Sequence, residues 1–292
     1  MKATANVVRR RRARRAAELK KRSGRNHRQG LFIIAGIVVA LVLLAGTTAA
    51  LAVGVYIYYA RDLPNPDDIV KAHQQFETTL LYDRTGKTVL YQVLDPSGGD
   101  RQSVALGDIP LDLRNATIVS EDRSFYQNPG FDVRGMLRAL SLAVQGQSIQ
   151  GASTITQQLV KNVLLAPEGR APNTPDRKIR EIILSAEIAR RYGKDQILEW
   201  YLNNNFYGNL AYGVATAAKV YFGKRVQDLT LGEAAMLAAI PQNPELNPID
   251  APIAARQRQA VVLDSMVESG YLTVDQATEA KSQVIQIQPN TE

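Results

Sequence analysis

A long uncharged stretch dominates the pattern of hydrophobic and polar positions near the start of the chain. Residues 31–60 carry no charged side chain. A helix of this length spans about 45 Å, which is more than the roughly 30 Å hydrocarbon core of a membrane. Tyr56, Tyr58 and Tyr59 lie at the C-terminal end, as is typical of an aromatic interface belt. The pattern predicts one transmembrane helix.

A cleavable signal peptide is the alternative interpretation, with Ala50-Leu51-Ala52 as the cleavage sequence. The apolar run is much longer than the roughly 7–15 residues of a signal peptide, which favours an uncleaved anchor. Arg-rich residues 1–30 precede the span, so the positive-inside rule predicts a cytoplasmic N-terminus and an exterior remainder.

The pattern changes twice after the predicted anchor. Pro64 and Pro66 end the first helix, and residues 67–78 predict a short second one. Residues 79–82 and 87–93 flank a Gly-containing turn and predict a β-hairpin. From about residue 110 the apolar positions recur with a helical period. Gly, Pro and Asn separate candidate helices near 112–121, 132–145, 153–163, 176–192, 194–203, 210–222, 230–240, 251–269 and 273–283.

Composition narrows the chemistry. The net charge is +7, but residues 1–30 hold 12 of the 35 Lys and Arg residues and one of the 28 acids. The rest of the chain is therefore slightly acidic, and no nucleic-acid partner is predicted. The chain has no Cys, and its only His residues are His27 and His73. Thiolate or His-ligated metal sites and His-dependent triads are thus disfavoured, leaving carboxylates, hydroxyls, amides and cations.

The first candidate site follows the apolar segment at 111–119. Glu121 and Asp122 stand where that segment stops, and Phe125 and Gly130 shape the turn that follows. A carboxylate at the mouth of a core element suits a general base. Solvated acids at a helix end are the other interpretation, and these residues alone do not decide between the two.

A second candidate site begins at residue 151. Ser153 or Thr154 predicts a helix cap, with Gln157 completing a capping box. Polar side chains without an acid then share one helix face, which suits a sugar or a phosphate. An ordinary capped amphipathic helix is the alternative. The polar positions are Ser153, Thr154, Gln157, Gln158, Lys161 and Asn162.

A third candidate site opens another predicted helix. Arg177 and Lys178 form a cationic cluster at its N-terminus, where a pyrophosphate would bind well. Glu181 would bring a second carboxylate to such a site. A surface ion pair between Arg177 and Glu181, at i,i+4 spacing, is the alternative.

Together these motifs resemble the peptidoglycan glycosyltransferase, or transglycosylase, module of class A penicillin-binding proteins, which carries an N-terminal membrane anchor. The resemblance covers roughly residues 65–285. The matching segments, in order, are Glu121-Asp122-x-x-Phe125 with Gly130, Gly151-x-Ser153-Thr154-Ile155-Thr156-Gln157-Gln158, Arg177-Lys178-x-x-Glu181, Ile197-Leu198-Glu199-x-Tyr201-Leu202-Asn203 with Gly208, Ala217-Ala218-x-x-Tyr221-Phe222-Gly223-Lys224, and Leu231-x-Glu233-Ala234-Ala235-Met236-Leu237-Ala238.

The resemblance implies polymerisation of lipid II outside the cytoplasmic membrane of a bacterium. A GlcNAc 4-hydroxyl would attack C1 of a lipid-pyrophosphate-linked MurNAc with inversion, and Glu121 would be the general base. Glu181 would be the second catalytic residue. The implied substrate-binding residues are Asp122, Phe125, Ser153, Thr154, Gln157, Gln158, Lys161, Asn162, Arg170, Arg177 and Lys178.

The resemblance also bears on cofactors and partners. No cofactor is required, although a divalent cation such as Mg²⁺ at Glu181 is left open, with oxygen ligands only. The implied partners are lipid II, the growing glycan strand and membrane lipid, with a transpeptidase or other cell-wall assembly proteins as candidates.

The implied fold is mainly α: a lysozyme-like helical domain with a smaller membrane-associated subdomain, a short N-terminal β-hairpin and one transmembrane helix. Residues 131–150 suit the subdomain because they are rich in apolar side chains, although a well-buried helix explains them equally. The predicted domains are a basic cytoplasmic tail at 1–30, an anchor at 31–60, a linker and hairpin at 61–110, a glycosyltransferase domain at 111–285 and a C-terminal tail at 286–292.

Two departures from the family pattern matter. Asn128-Pro129 stands where the family usually has a His, which puts the geometry of the Glu121 loop in question. No Ser-x-x-Lys, Ser-x-Asn or Lys-Thr-Gly sequence is present, so the chain is expected to be a stand-alone transglycosylase or the front part of a bifunctional enzyme. A lytic muramidase and an inactive anchored scaffold are the rival functions. Cations at the donor site argue against the first, and retention of both glutamates argues against the second.

Overall fold

The computed structural model describes residues 34–75, 78–93, 100–145, 153–165 and 174–288. The predicted basic tail, Gly151, Arg170 and residues 289–292 lie outside these ranges. The chain divides into two compact units, the first ending at Arg61 and the second beginning at Asp62.

The described part of the first unit is one helix, α1, over Ile34–Ala60. It has 27 residues and a mean hydropathy of 2.4, so its length and composition suffice to cross a membrane. Its large apolar side chains are exposed within the unit, from Ile34 to Tyr58. The predicted apolar helix is therefore present over Ile34–Ala60, and residues 31–33 of the predicted span lie outside the described residues.

The second unit is mainly helical, as predicted. Its strands are β1 (Thr79–Tyr82), β2 (Val89–Val93), β3 (Asp100–Arg101) and β4 (Ala211–Tyr212). Its α-helices are α2 (Asp68–Gln75), α3 (Leu111–Glu121), α4 (Val133–Val144), α5 (Ile155–Val163), α6 (Pro175–Arg191), α7 (Lys194–Asn204), α8 (Val214–Phe222), α9 (Leu231–Ala239), α10 (Pro252–Glu268) and α11 (Val274–Ser282).

The predicted hairpin is confirmed. Strands β1 and β2 pair antiparallel with Thr79 opposite Val93, and Gly86 in the connecting turn has φ of +69°. Asp83 Oδ1 accepts backbone hydrogen bonds from Thr85 and Lys87, which closes the turn.

Helix α9 occupies the centre of the helical core. Residues 232–239 are buried, and α9 packs against α3, α8 and α10. Its alanines allow close approach of neighbouring helices, and Thr230 and Glu233 form a capping box that satisfies its first turn. Helix α5 packs in turn against α6 and α7. Hydrogen bonds from Ile155 to Asp122 and from Gln158 to Glu121 join α5 to the C-terminal end of α3.

One predicted helix was placed too early. The pattern predicts a helix over 210–222, but α8 begins at Val214. Ala211 and Tyr212 instead pair in parallel with Asp100 and Arg101. A backbone turn with positive φ at Asn209 and Leu210 precedes this pairing and is incompatible with a helix. The pairing joins segments more than 100 residues apart, so no local pattern announces it.

Candidate active site

Glu121 is the last residue of α3 and lines a cleft of about 300 Å³. Apolar residues of α3 such as Leu113 and Ala116 are fully buried. The packing of this helix therefore fixes the position of Glu121, its last residue. The cleft is lined by Val119, Ser120, Glu121, Asp122, Arg123, Ser124, Asp132, Arg138, Ser153 and Thr154. Two of the three predicted site segments therefore meet at one cleft.

The two oxygens of Glu121 have different surroundings. Oε2 accepts a hydrogen bond from Gln158 Nε2 at 2.6 Å. Oε1 is shielded from solvent and has no hydrogen-bond partner of normal geometry among the described residues. The amide of Gln242 lies nearby, but its Nε2 donates to the Ser120 carbonyl oxygen at 2.7 Å. In this conformation Oε1 is therefore a buried acceptor without a donor of normal geometry among the described residues.

The electrostatic environment of Glu121 suits a base. Burial raises the pKa of the Glu121 carboxyl because it disfavours the charged form. The amides of Gln158 and Gln242, then the positive charges of Arg258 and Lys161, lower the same pKa in part. Burial and the neighbouring groups thus act on the pKa of Glu121 in opposite directions, and burial is the larger influence, which makes the carboxylate a stronger base.

Asp122 holds the loop that follows Glu121. It is 7% exposed, and both its oxygens accept from Asn128 Nδ2, at 3.0 and 2.9 Å. Oδ1 also accepts from the Ser124 hydroxyl at 3.0 Å, and Oδ2 from the Ile155 backbone N–H at 3.3 Å. Burial raises the pKa of Asp122, and these hydrogen bonds oppose that rise. The visible role of Asp122 is to join the loop to the start of α5.

Asn128 completes the hydrogen bonding of the loop that follows Glu121. Its Oδ1 accepts from the Gly130 backbone N–H at 3.0 Å and from Lys194 Nζ at 3.2 Å. Gly130 has φ of +100°, and a Cβ there would lie 2.2 Å from the Ser185 carbonyl oxygen, so only glycine fits. The Asn128 side chain thus donates to Asp122 and accepts from Gly130, so both ends of its amide are hydrogen-bonded within the loop.

Phe125 is fully buried below this loop. Its ring lies 5.2 Å from that of Tyr126, and Lys194 Nζ stands 4.7 Å from the Phe125 centroid. In this conformation the residue contributes packing and a cation–π contact rather than surface to a ligand. Its predicted substrate-binding role stays a prediction.

Helix α5 uses its polar residues in two ways. Thr154 is the N-cap, and its capping box with Gln157 confirms the predicted helix start. Both side chains are nearly fully buried, and the Thr154 hydroxyl also donates to the Gly130 carbonyl oxygen at 2.7 Å. Gln157 therefore faces the interior, whereas Thr154 is nearly fully buried but still lines the cleft. Their visible role is to fix α5 against the Glu121 loop.

The remaining polar residues of α5 lie nearer the base or the solvent. Ser153 lines the cleft, and Gln158 donates to Glu121. Lys161 is half-buried and close enough for its charge to lower the pKa of Glu121. Asn162 is exposed, and its Nδ2 donates to Asn205 Oδ1 at 3.0 Å.

The third predicted segment forms a largely buried charge cluster at the start of α6. Glu181 is 5% exposed, and its Oε1 lies 3.4 Å from Arg177 Nε. Its Oε2 lies 3.1 Å from Lys178 Nζ, which also donates to the Ser153 hydroxyl at 2.9 Å. Ser153 therefore joins the cluster to the wall of the Glu121 cleft. The i,i+4 ion pair between Arg177 and Glu181 is present, but it is largely buried and does not lie on the surface.

The residues around Glu181 do not fit a resident Mg²⁺ ion. Mg²⁺ needs several oxygen ligands, whereas both Glu181 oxygens are beside cations that would repel it. Among the described residues there is no group of three acidic or His side chains that could hold a metal.

Sequence reasoning missed several residues of this site. Arg138 of α4 lines the cleft, as do Asp132 and Ser124. Tyr201 contacts Gln158 behind the base, and Arg258 of α10 acts on Glu121 electrostatically. The motif containing Tyr201 was noted, but nothing in a linear pattern indicates which face of α7 meets α5.

Comparison with known proteins assigns the chain to a family. A protein-family model described as Transglycosylase matches residues 87–267. The chain belongs to the transglycosylase family. The matched region of this transglycosylase contains Glu121, Asn128, Gln158 and Glu181, so the cleft and the charge cluster both lie within it.

Curated relatives of this transglycosylase are longer proteins. It is 40% identical over 248 residues to penicillin-binding protein 1A of Rickettsia bellii (strain RML369-C), covering 83% of this chain and 30% of that protein. It is 38% identical over 247 residues to penicillin-binding protein 1A of Mycobacterium tuberculosis (strain ATCC 25618 / H37Rv), covering 84% and 28%. The chain thus spans about 30% of the length of these relatives. A solved structure of penicillin-binding protein 1A from Haemophilus influenzae aligns with a TM-score of 0.42 and 23% identity, over 74% of this chain and 22% of that one.

Proposed function

We propose that this transglycosylase polymerises lipid II into glycan strands, with Glu121 as the general base. The observation that carries the proposal is the position of Glu121. This carboxylate lines a cleft, is shielded from solvent and keeps one oxygen without a protein donor among the described residues. Family membership supports the class of reaction. The cleft beside Glu121 is the proposed binding site for the reacting sugars.

In the proposed reaction Glu121 takes the proton from the 4-hydroxyl of an acceptor GlcNAc. The freed oxygen attacks C1 of the MurNAc on the growing strand, and the bond from C1 to the pyrophosphate oxygen breaks with inversion. The lipid pyrophosphate leaves with the bonding electrons. The pKa of Glu121, raised by burial, gives the carboxylate the basicity for this transfer.

The leaving pyrophosphate would be stabilised by Arg177 and Lys178, which are connected to the cleft wall through the hydrogen bond from Lys178 to Ser153. Lys178 and Arg177 carry two positive charges against the single charge of Glu181, so their cluster keeps a net positive charge. Preorganised cations of this kind stabilise charge that develops in a transition state. Glu181 then supports the reaction by holding both cations, and no metal enters the proposal.

A membrane location fits the lipid-linked substrate. Helix α1 has the length and composition of an anchor, and α4 exposes Val133 and Leu137, at 52% and 62%. Exposed apolar residues on this helix favour the membrane-associated role over a well-buried one. We place the N-terminus in the cytoplasm and the catalytic unit outside, because the basic residues precede α1. A transpeptidase or other cell-wall assembly proteins are the proposed partners.

The test supplies the purified full chain in detergent with labelled lipid II and measures polymer on gels. We expect Glu121→Gln to lower the rate by about 10²–10⁴-fold, the usual contribution of a general base. Glu279→Gln is the matched control, since Glu279 is exposed on α11 and outside the cleft. Polymerisation by Glu121→Gln at the wild-type rate would contradict the assignment of the base.

The same preparation tests the rival lytic function. A muramidase on this fold would release fragments from isolated glycan strands, which carry no pyrophosphate. We expect no such release by the wild-type chain. Release of fragments together with no polymer from lipid II would favour the lytic enzyme.

A further inference from the structure

A directed chain of hydrogen bonds runs from the surface to Glu121. Asn162 Nδ2 donates to Asn205 Oδ1 at 3.0 Å, and Asn205 Nδ2 donates to the Tyr201 hydroxyl at 3.1 Å. The Tyr201 hydroxyl donates to Gln158 Oε1 at 3.3 Å. Gln158 Nε2 donates to Glu121 Oε2 at 2.6 Å. Every donor in this series points toward the carboxylate.

We propose that Tyr201 is a positioning residue for the base: its hydroxyl fixes the amide of Gln158 so that the amide donates to Glu121. The inference rests on the proposed role of Glu121, and it goes beyond that role by naming what orients its partner. Tyr201 itself does not touch the cleft and is 1% exposed.

The direction of the chain follows from the number of protons each group has. A phenol has one proton to donate, and the Tyr201 oxygen already accepts from Asn205. Its proton therefore goes to Gln158, which must present Oε1 to Tyr201 and Nε2 to Glu121. An amide rotated by 180° would place an oxygen against the Glu121 carboxylate and an N–H₂ against the Tyr201 proton.

Tyr201 keeps its proton throughout the working range of pH. Burial first, and then the negative charge of Glu121, raises the pKa of Tyr201 well above its usual value. The phenol is therefore a permanent donor at neutral pH. This fixed donor distinguishes the arrangement from a switch, because the orientation of Gln158 does not change with pH.

The charged and titratable groups facing Glu121 come from several elements. Lys161 lies on α5 and Arg258 on α10, and both favour the ionised carboxylate. Tyr201 on α7 and Tyr207 just after α7 are buried phenols whose pKa values are raised by burial and by Glu121. None of these groups donates to Oε2. Loss of the hydrogen bond from Gln158 would therefore change the pKa of Glu121 directly.

The test reads the titration of Glu121 directly, in the full chain in detergent. Protein with ¹³C-labelled glutamate carboxyl groups is titrated by NMR, and the Glu121 signal is identified by its absence in Glu121→Gln. We expect Tyr201→Phe to raise the titration midpoint by about one unit, because a charge-assisted hydrogen bond is lost or reversed. The acid limb of the polymerisation rate should move to higher pH by the same amount.

The matched control is Tyr221→Phe. Tyr221 is also fully buried, donates to the Tyr207 carbonyl oxygen at 2.6 Å and accepts from Asn209 at 3.4 Å. It has no hydrogen bond to the chain that ends at Glu121. We expect this variant to leave the titration midpoint unchanged, although its loss of stability should be similar.

A second variant protects the test if Tyr201→Phe fails to fold. Asn205→Ala frees the Tyr201 hydroxyl to rotate and should move the midpoint of Glu121 upward as well. An unchanged midpoint in the folded variants, or an equal shift in Tyr221→Phe, would overturn the proposal. Because the titration needs no turnover, this failure is distinct from failure of the proposed polymerase activity.

Discussion

The loop that carries Glu121 should depend strongly on Asn128. Asn128→Ala removes the amide that donates to both oxygens of Asp122 and accepts from Gly130 and Lys194. Asp122 is 7% exposed and lines the cleft, so water can replace the lost donor only in part. The substitution therefore leaves a desolvated carboxylate short of its main partner.

The magnitude follows from the groups left unpaired. A hydrogen bond to a charged group contributes about 1.5–3 kcal/mol, and an unsatisfied buried N–H costs about 1–3 kcal/mol. Remaining bonds from Ser124 and Ile155 to Asp122 offset part of this loss. We expect a net loss of about 2–3 kcal/mol in the free energy of unfolding, or roughly 5–10 °C in melting temperature for a unit of this size.

Thermal unfolding of the full chain in detergent measures this change. Asn243→Ala is the matched control, since Asn243 is exposed and makes no side-chain cap hydrogen bond. Asn128→Asp adds a second test because it places a carboxylate against Asp122, whose folded pKa is already raised. That variant should lose more stability at about pH 8 than at about pH 5, because protonation relieves the repulsion. A melting temperature of Asn128→Ala equal to that of Asn243→Ala would refute the reasoning.

Four further predictions concern the same cleft. Burial raises the folded pKa of Glu121, so the stability this carboxyl contributes is present when it is protonated and is lost as pH rises through that pKa. Glu121→Gln should therefore raise the melting temperature by a few degrees at about pH 8 and not at about pH 4; equal effects at both pH values would contradict this. Gly130→Ala should destabilise by more than about 2 kcal/mol in denaturant unfolding, because its Cβ meets the Ser185 carbonyl oxygen, and a loss near zero would refute the clash. Lys178→Met should slow polymerisation by at least about tenfold, since it removes a cation proposed to stabilise the leaving pyrophosphate, whereas Lys219→Met on α8 should not. Chelation with EDTA should leave the melting temperature unchanged, because the described residues offer no metal ligand cluster; a fall of several degrees would reveal a site.

Much of the fold was predictable because the relevant signals are local. Thr154 and Gln157 are three residues apart, and their capping box forms within the first turn of α5. Gly86 lies in the turn of a hairpin whose two strands are neighbours in the chain. The start of the helix predicted over 210–222 was wrong because it depends on a contact between distant segments, the pairing of Ala211 with Asp100.

The motifs indicated some of the residues that line the cleft, but not the contacts that each of them makes. The motifs named Glu121, Glu181 and Gln158, and the fold brings Glu121 and Gln158 into direct contact. Thr154 and Gln157, however, are buried, because capping and the Gly130 contact require their polar atoms inside. The residue type alone does not indicate whether a polar side chain faces a ligand or a backbone group.

The sequence by itself determined the apolar helix α1, the helical period after residue 110, the absence of cysteine chemistry and the identity of the carboxylates. Each of these depends on neighbouring residues or on composition. Only the tertiary structure decided that Glu181 is buried between two cations, that Asn128 satisfies Asp122, and that Tyr201 faces Gln158. Those features depend on which helix faces meet, and packing of the whole core sets that arrangement.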